Sequence, residues 1–133
     1  MIIRDAGAFD EPQITKLYNA FCEEFGEAPI APPKISNGRL VVCIVDGSLV
    51  AYAYFRPMVY GGVDYTFGEH IYVKPEFRNM DIGSKLYMIF RRWARQEGKP
   101  IIISSSKKEH ARWWSKGYRT LRFIMVKETK CTK

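Results

Sequence analysis

The run EHIYV (Glu69–Val73) reads as a strand, and PEFRNMDIGSKL (Pro75–Leu86) leads from it directly into a helical pattern. A helix fed by a strand leaves its first backbone N–H groups unpaired and pointing forward, with partial positive charge behind them. That is a ready site for an anion, and a pyrophosphate fits it well. Arg78 and Lys85 add charge on either side of the junction, while Asp81 sits between them with the opposite sign. The three cysteines, Cys22, Cys43 and Cys131, are scattered, and none has a Cys or His partner at metal-ligand spacing. Neither a disulfide framework nor a metal site is therefore expected. Cys22 and Cys43 lie in helical and strand patterns and read as small core residues.

The elements that must position this junction follow from the hydrophobic patterning. MIIRDA reads as a first strand, and Asp10 followed by Gln13 resembles a capping box with Pro12 in the first turn. Ile14, Leu17, Tyr18, Phe21 and Phe25 then recur at helical spacing. Three prolines make Glu27–Gly38 a loop with at most one helical turn. RLVVCIV and SLVAYAYF are β-rich runs joined by Asp46-Gly47, a hairpin signal. Gly61-Gly62 marks a turn, and Val63–Val73 is a third long strand in which Gly68 predicts a bulge. A helix over Ile82–Glu97 follows, with Ile82, Leu86, Ile89, Phe90 and Trp93 on one face and Gly98 as its stop. Ile101–Ser104 reads as a buried strand, Glu109–Gly117 as a short helix and Tyr118–Glu128 as a last strand.

These elements make one domain over residues 1–133, long enough for a real core. At 47% hydrophobic and 14% aromatic residues the chain is a folded globule rather than a disordered binder. No apolar run reaches bilayer-spanning length and MIIRDAG is no signal peptide, so a soluble, cytoplasmic protein is expected. The charge is uneven. Residues 1–27 hold six acidic against two basic side chains, a balance of −4 in a chain of +7, so the remainder carries +11. A basic body attracts phosphates, on a nucleotide cofactor or on nucleic acid.

Val73-Lys74-Pro75-Glu76-Phe77-Arg78 followed by Ile82-Gly83-Ser84-Lys85-Leu86 resembles the acetyl-CoA motif of the GNAT family of N-acetyltransferases. In that family a strand ending in Val-x-Pro precedes Arg/Gln-x-x-Gly-x-Gly/Ala. The order β-α-β-β-β-α-β-α-β is also the family order, and ARWWSKGY (Ala111–Tyr118) is similar to its final helix. The resemblance implies an α/β fold with a mixed, strongly curved sheet flanked by helices. Val63–Val73 and Ile101–Ser104 would be its two splayed central strands. It implies acetyl-CoA as co-substrate, with the pyrophosphate on the amides of Arg78, Asn79, Met80, Asp81, Ile82, Gly83 and Ser84, beside Lys85. Main-chain groups around Tyr72 and Val73 would pair with the pantetheine arm.

Two positions depart from the family pattern. Asp81 replaces its first glycine; aspartate tolerates the left-handed conformation, and its carboxylate is placed to cap the following helix. Trp113 stands where many members carry a tyrosine that reprotonates the CoA thiolate, and an indole N–H has no useful acidity. Acyl transfer to an amine also needs a proton acceptor. Glu69 lies where some members that acetylate polyamines use an acidic base, and His70 is the other candidate, on the opposite face by strand alternation. A salt-bridged Glu69 and a hydrogen-bonded His70 are the structural alternatives.

The resemblance implies that the first helix and its loop border an acceptor pocket. Glu23, Glu24 and Glu27 make that rim acidic, which favours a cationic amine on a small molecule or a protein. The expected function is N-acetyl transfer from acetyl-CoA to such an amine, with a homodimer possible. The alternatives are a catalytically impaired module that binds a protein, and a nucleic-acid binder using Arg91, Arg92, Arg95, Lys107, Lys108 and Arg112; no nucleic-acid motif supports the latter.

Overall fold

The computed structural model describes residues 1–26, 32–103 and 117–118. Its elements in chain order are β1 (Ile2–Asp5), α1 (Glu11–Phe25), β2 (Arg39–Val45), β3 (Ser48–Tyr60), β4 (Val63–Val73), α2 (Ile82–Glu97) and β5 (Ile101–Ile103). Short 3-10 turns occupy Ala8–Asp10, Ile35–Asn37 and Pro75–Phe77. Of the expected final helix and strand only Gly117 and Tyr118 are described; the rest, with Trp113, lies outside the described residues, as does the loop over 27–31.

The five strands form one mixed sheet in the order β1-β2-β3-β4-β5. The first four are antiparallel neighbours, whereas β5 runs parallel to β4, the connection being the α2 crossover. Asp46 (φ 50°) and Gly47 (φ 78°) are both left-handed, as a two-residue primed hairpin requires. Helix α1 covers one face, burying Ile14, Leu17, Tyr18 and Cys22 on Leu40, Val42, Tyr52, Tyr54 and Tyr72. On the other face α2 buries Ile82, Leu86, Tyr87 and Phe90 against Val41, Val50, Ala51, Ala53 and Phe55. With both faces covered, β2 and β3 read as continuous apolar runs rather than alternating ones.

Three local details differ from expectation. The capping box at Asp10 and Gln13 does not form: the Asp10 carboxylate turns back to accept the Gly7 N–H at 2.8 Å and two bonds from Arg4 at 2.7 and 3.1 Å. The buried charge is thereby satisfied by a nearer cation, which outcompetes the helix amides. The buried stripe of α2 includes Tyr87 and Ala94, with Ile89 and Trp93 only at its margin. Strand β3 runs on through Pro57 to Tyr60; β2 pairs with it only as far as Phe55, so the missing proline N–H interrupts no described ladder bond. Among the described residues, no helix is long and apolar enough to cross a membrane.

Candidate functional site

The candidate anion site has the strand–loop–helix form that the sequence predicts. β4 ends at Val73, a 3-10 turn over Pro75–Phe77 redirects the chain, and Asn79 (φ 70°) and Asp81 (φ 60°) take left-handed conformations before α2 starts at Ile82. The first described bond into the α2 ladder runs from Lys85 N–H to Asp81 O at 3.1 Å. The amides of Ile82, Gly83 and Ser84 precede it and have no partner within the helix. Nothing lies within 4 Å of where a Cβ on Gly83 would sit, so a ligand can approach the main chain closely there. These groups fit a diphosphate, with the exposed Lys85 one turn in.

Two expectations at this junction are corrected. Asp81 keeps the glycine-like backbone but makes no side-chain cap, because a left-handed residue at the N-cap carries its carboxylate away from the helix amides. Arg78 does not stand free beside the phosphate site. Its Nε donates to Val73 O at 2.9 Å and its Nη2 to both oxygens of Glu24, each at 2.9 Å. The guanidinium also lies over the Tyr72 ring, 5.5 Å from its centroid, and Tyr72 donates its hydroxyl to Glu24 at 3.2 Å. Burial, then the charge of Glu24, holds the Tyr72 phenol above its ordinary pKa. The bond to Glu24 raises that of Arg78. The bridge ties the end of α1 to the end of β4. It neutralises one glutamate of the expected acidic rim, and Glu27 lies outside the described residues.

The second part of the site is a bulge. Tyr54 pairs with His70 and Phe55 with Gly68, so Glu69 is the extra residue of β4. Gly68 serves packing: a Cβ there would meet the Phe90 ring at 2.9 Å. The bulge overturns the expectation that Glu69 and His70 face opposite ways. Both line one cavity of about 390 Å3, together with Pro32, Pro33, Tyr54 and Arg56. Alternation fails because the inserted residue breaks the two-residue repeat. Glu69 is ion-paired there: Arg56 Nε donates to it at 2.8 Å. His70 meets the rings of Tyr18 and Phe21 edge-on at 5.7 and 4.8 Å. Burial, and secondarily the charge on Glu69, raises the Tyr54 pKa.

Immediately before the bulge, Thr66, Phe67 and Gly68 pair with Ile101, Ile102 and Ile103. Beyond Gly68, where residues 104–116 lie outside the described residues, β4 runs on through Glu69–Val73, including Tyr72 and Val73, to the junction. The strand–loop–helix junction lies at one end of this stretch and the Glu69 cavity at the other.

The acetyltransferase (GNAT) family model matches residues 9–114, most of the chain. The chain belongs to the GNAT acetyltransferase family. Three solved structures illustrate the shared fold. A proposed acetyl transferase from Pyrococcus furiosus is 22% identical with a TM-score of 0.76, covering 96% of this chain and 99% of its own. An acetyltransferase from Trypanosoma brucei is 19% identical with a TM-score of 0.73 and the same coverage. An aminoglycoside N-acetyltransferase, AAC(6')-Iy, in complex with CoA, is 17% identical with a TM-score of 0.66, covering 98% of this chain and all of its own. No curated protein sequence matches. The five-stranded sheet flanked by helices is the GNAT architecture, with α1 and α2 on opposite faces.

The partnerships of Arg78 with Glu24 and of Glu69 with Arg56 were not visible in the sequence as such. The first joins residues 54 apart and leaves no local pattern. The second spans the β3–β4 hairpin, and charge complementarity across that turn was the one available signal.

Proposed function

We propose that this chain is an acetyl-CoA-dependent N-acetyltransferase that modifies a primary amine by direct transfer. The observation that carries the reading is the junction at Asn79–Ser84. Two left-handed residues lead into a helix start whose first three amides lack an intrahelical partner, beside an open Gly83, in a chain of the GNAT family. The CoA-bound aminoglycoside N-acetyltransferase of the same fold supports it.

Bound acetyl-CoA supplies the acetyl group: the amine nitrogen bonds to the thioester carbon, the C–S bond breaks, and sulfur leaves with its electron pair. The residues of the chain do the rest. The amides of Ile82–Ser84, with Lys85, hold the diphosphate, and Asp81 weakens that hold. Main-chain groups around Tyr72 and Val73 position the pantetheine arm. Glu69, through water, takes the proton the amine must lose, and His70 shapes the same cavity. Arg56 keeps the Glu69 carboxylate in place.

Titration calorimetry with acetyl-CoA, followed by mass spectrometry of amine mixtures, tests both halves. Glu69→Gln is expected to slow turnover while leaving acetyl-CoA affinity unchanged. Unaltered turnover across pH would remove Glu69 from the mechanism. An absence of binding at millimolar acetyl-CoA would end the transferase reading.

A further inference from the structure

The cavity beside the bulge presents two fixed charges of opposite sign. Glu69 supplies the negative one and Arg56 the positive one, at 2.8 Å. Their side chains are 29% and 34% exposed, so the pair faces the cavity instead of being sealed beneath it. An ion pair this exposed contributes little to stability, and both partners stay accessible to a ligand. Arg56 spends only Nε on Glu69, and its guanidinium is steadied by the Phe67 ring, 5.0 Å from the centroid. Among the described residues its two Nη groups have no acceptor, and a planar fork of this kind suits a carboxylate.

We propose that the acceptor is a free amino acid or an amino-acid-like zwitterion. This rests on the reading of the chain as an N-acetyltransferase. The ammonium group docks beside Glu69, which takes its proton through an intervening water before attack, and the carboxylate docks on the Nη groups of Arg56. The geometry disfavours the dicationic acceptor that an acidic rim suggests, because a second ammonium in this cavity would meet the Arg56 guanidinium. Glu24, which would have attracted it, is committed to Arg78. Size agrees: about 390 Å3 is near the bottom of the range of ~300–1,000 Å3 typical of small-molecule pockets. The Pro32, Pro33 and Tyr54 walls leave room for a short aliphatic or small side chain between the two charged ends.

The test uses matched amines differing by one carboxylate: L-lysine against cadaverine, β-alanine against ethylamine, and γ-aminobutyrate against propylamine. Each is incubated with the full chain and acetyl-CoA, and the acetylated product is quantified by mass spectrometry. The carboxylate-bearing member of at least one pair is expected to show kcat/KM at least about tenfold higher. Arg56→Gln should lower kcat/KM for that member chiefly through KM and abolish its advantage over the partner amine, whatever both lose in kcat from the loosened Glu69. Arg56→Lys, which keeps the charge without the fork, should fall between and guards against a misfolded glutamine variant. Equal or reversed preference in every pair overturns the inference. So does acetylation of none of them by a chain that acetyl-CoA stabilises thermally, an outcome that spares the cofactor site. Failure of acetyl-CoA to stabilise the chain at all would remove the transferase reading together with this one.

Discussion

Gly68→Ala adds a single methyl group at the point where the bulged strand meets helix α2. The new Cβ would stand 2.9 Å from Phe90 Cε2, 3.0 Å from Cζ and 3.4 Å from Cδ2, about half an ångström inside ordinary contact for the first two. The ring cannot retreat easily. Phe90 is 1% exposed and stacks on Phe55, itself fully buried, with centroids 4.9 Å apart and planes 26° from parallel. Overpacking of this sort costs about 1–3 kcal/mol. The smaller entropy of the unfolded chain returns about 0.4–1 kcal/mol when glycine becomes alanine. A net loss of about 1–2 kcal/mol remains, and in a chain of this length that lowers Tm by roughly 4–7 °C. Differential scanning calorimetry measures it. Gly83→Ala is the internal control, because nothing stands within 4 Å and the residue lies in a helix, so its stability should rise by about 0.5–1 kcal/mol. Shrinking the obstructing ring should relieve the strain, so Gly68→Ala with Phe90→Leu should lose less than the sum of the two single changes. A Gly68→Ala protein that melts at or above the parent temperature would refute the packing argument.

Three further outcomes are expected. The Arg4 guanidinium, with the Gly7 amide behind it, holds the Asp10 carboxyl below its ordinary pKa of 3.8 in the face of a smaller, opposing effect of burial. This contact therefore stabilises the fold above about pH 4 and is lost as pH falls further; the Tm deficit of Asp10→Asn should be largest near pH 6 and shrink toward pH 3. The Tyr52 hydroxyl is buried with no partner among the described residues, so Tyr52→Phe should leave Tm unchanged or raise it, and a loss of more than about 1 kcal/mol in urea titration would contradict that. Asp81→Gly keeps the left-handed backbone and removes a carboxylate beside the diphosphate amides, so calorimetry should show acetyl-CoA binding about tenfold tighter, the gain shrinking at high salt.

The elements were legible in the sequence wherever one local rule dominated. Asp46-Gly47 set the β2–β3 hairpin, continuous apolar runs marked the doubly covered strands, and Gly98 closed α2 with a left-handed cap at φ 66°. The strand–loop–helix junction was legible too, since a strand running into a helix start is a contiguous pattern. What escaped was set by competition between side-chain partners on different elements. Asp10 had the makings of an N-cap but a stronger partner in Arg4. Arg78 had the makings of a phosphate ligand but a carboxylate waiting on another element. Gly68 announced a bulge without saying which neighbour was the extra residue, and the facing of Glu69 and His70 depended on that.

Because Glu69 is interpolated into β4, it owes nothing to the phase of the strand on either side. Phe67 and Gly68 before it, and His70 and Ile71 after it, would keep their present facing if it were excised, since the count then returns to a plain two-residue repeat. The acidic group thus occupies a slot that the core does not use. Its chemical identity can drift from carboxylate to amide or hydroxyl without any compensating change among the buried residues, so this strand can acquire new reactivity faster than it can acquire a new shape.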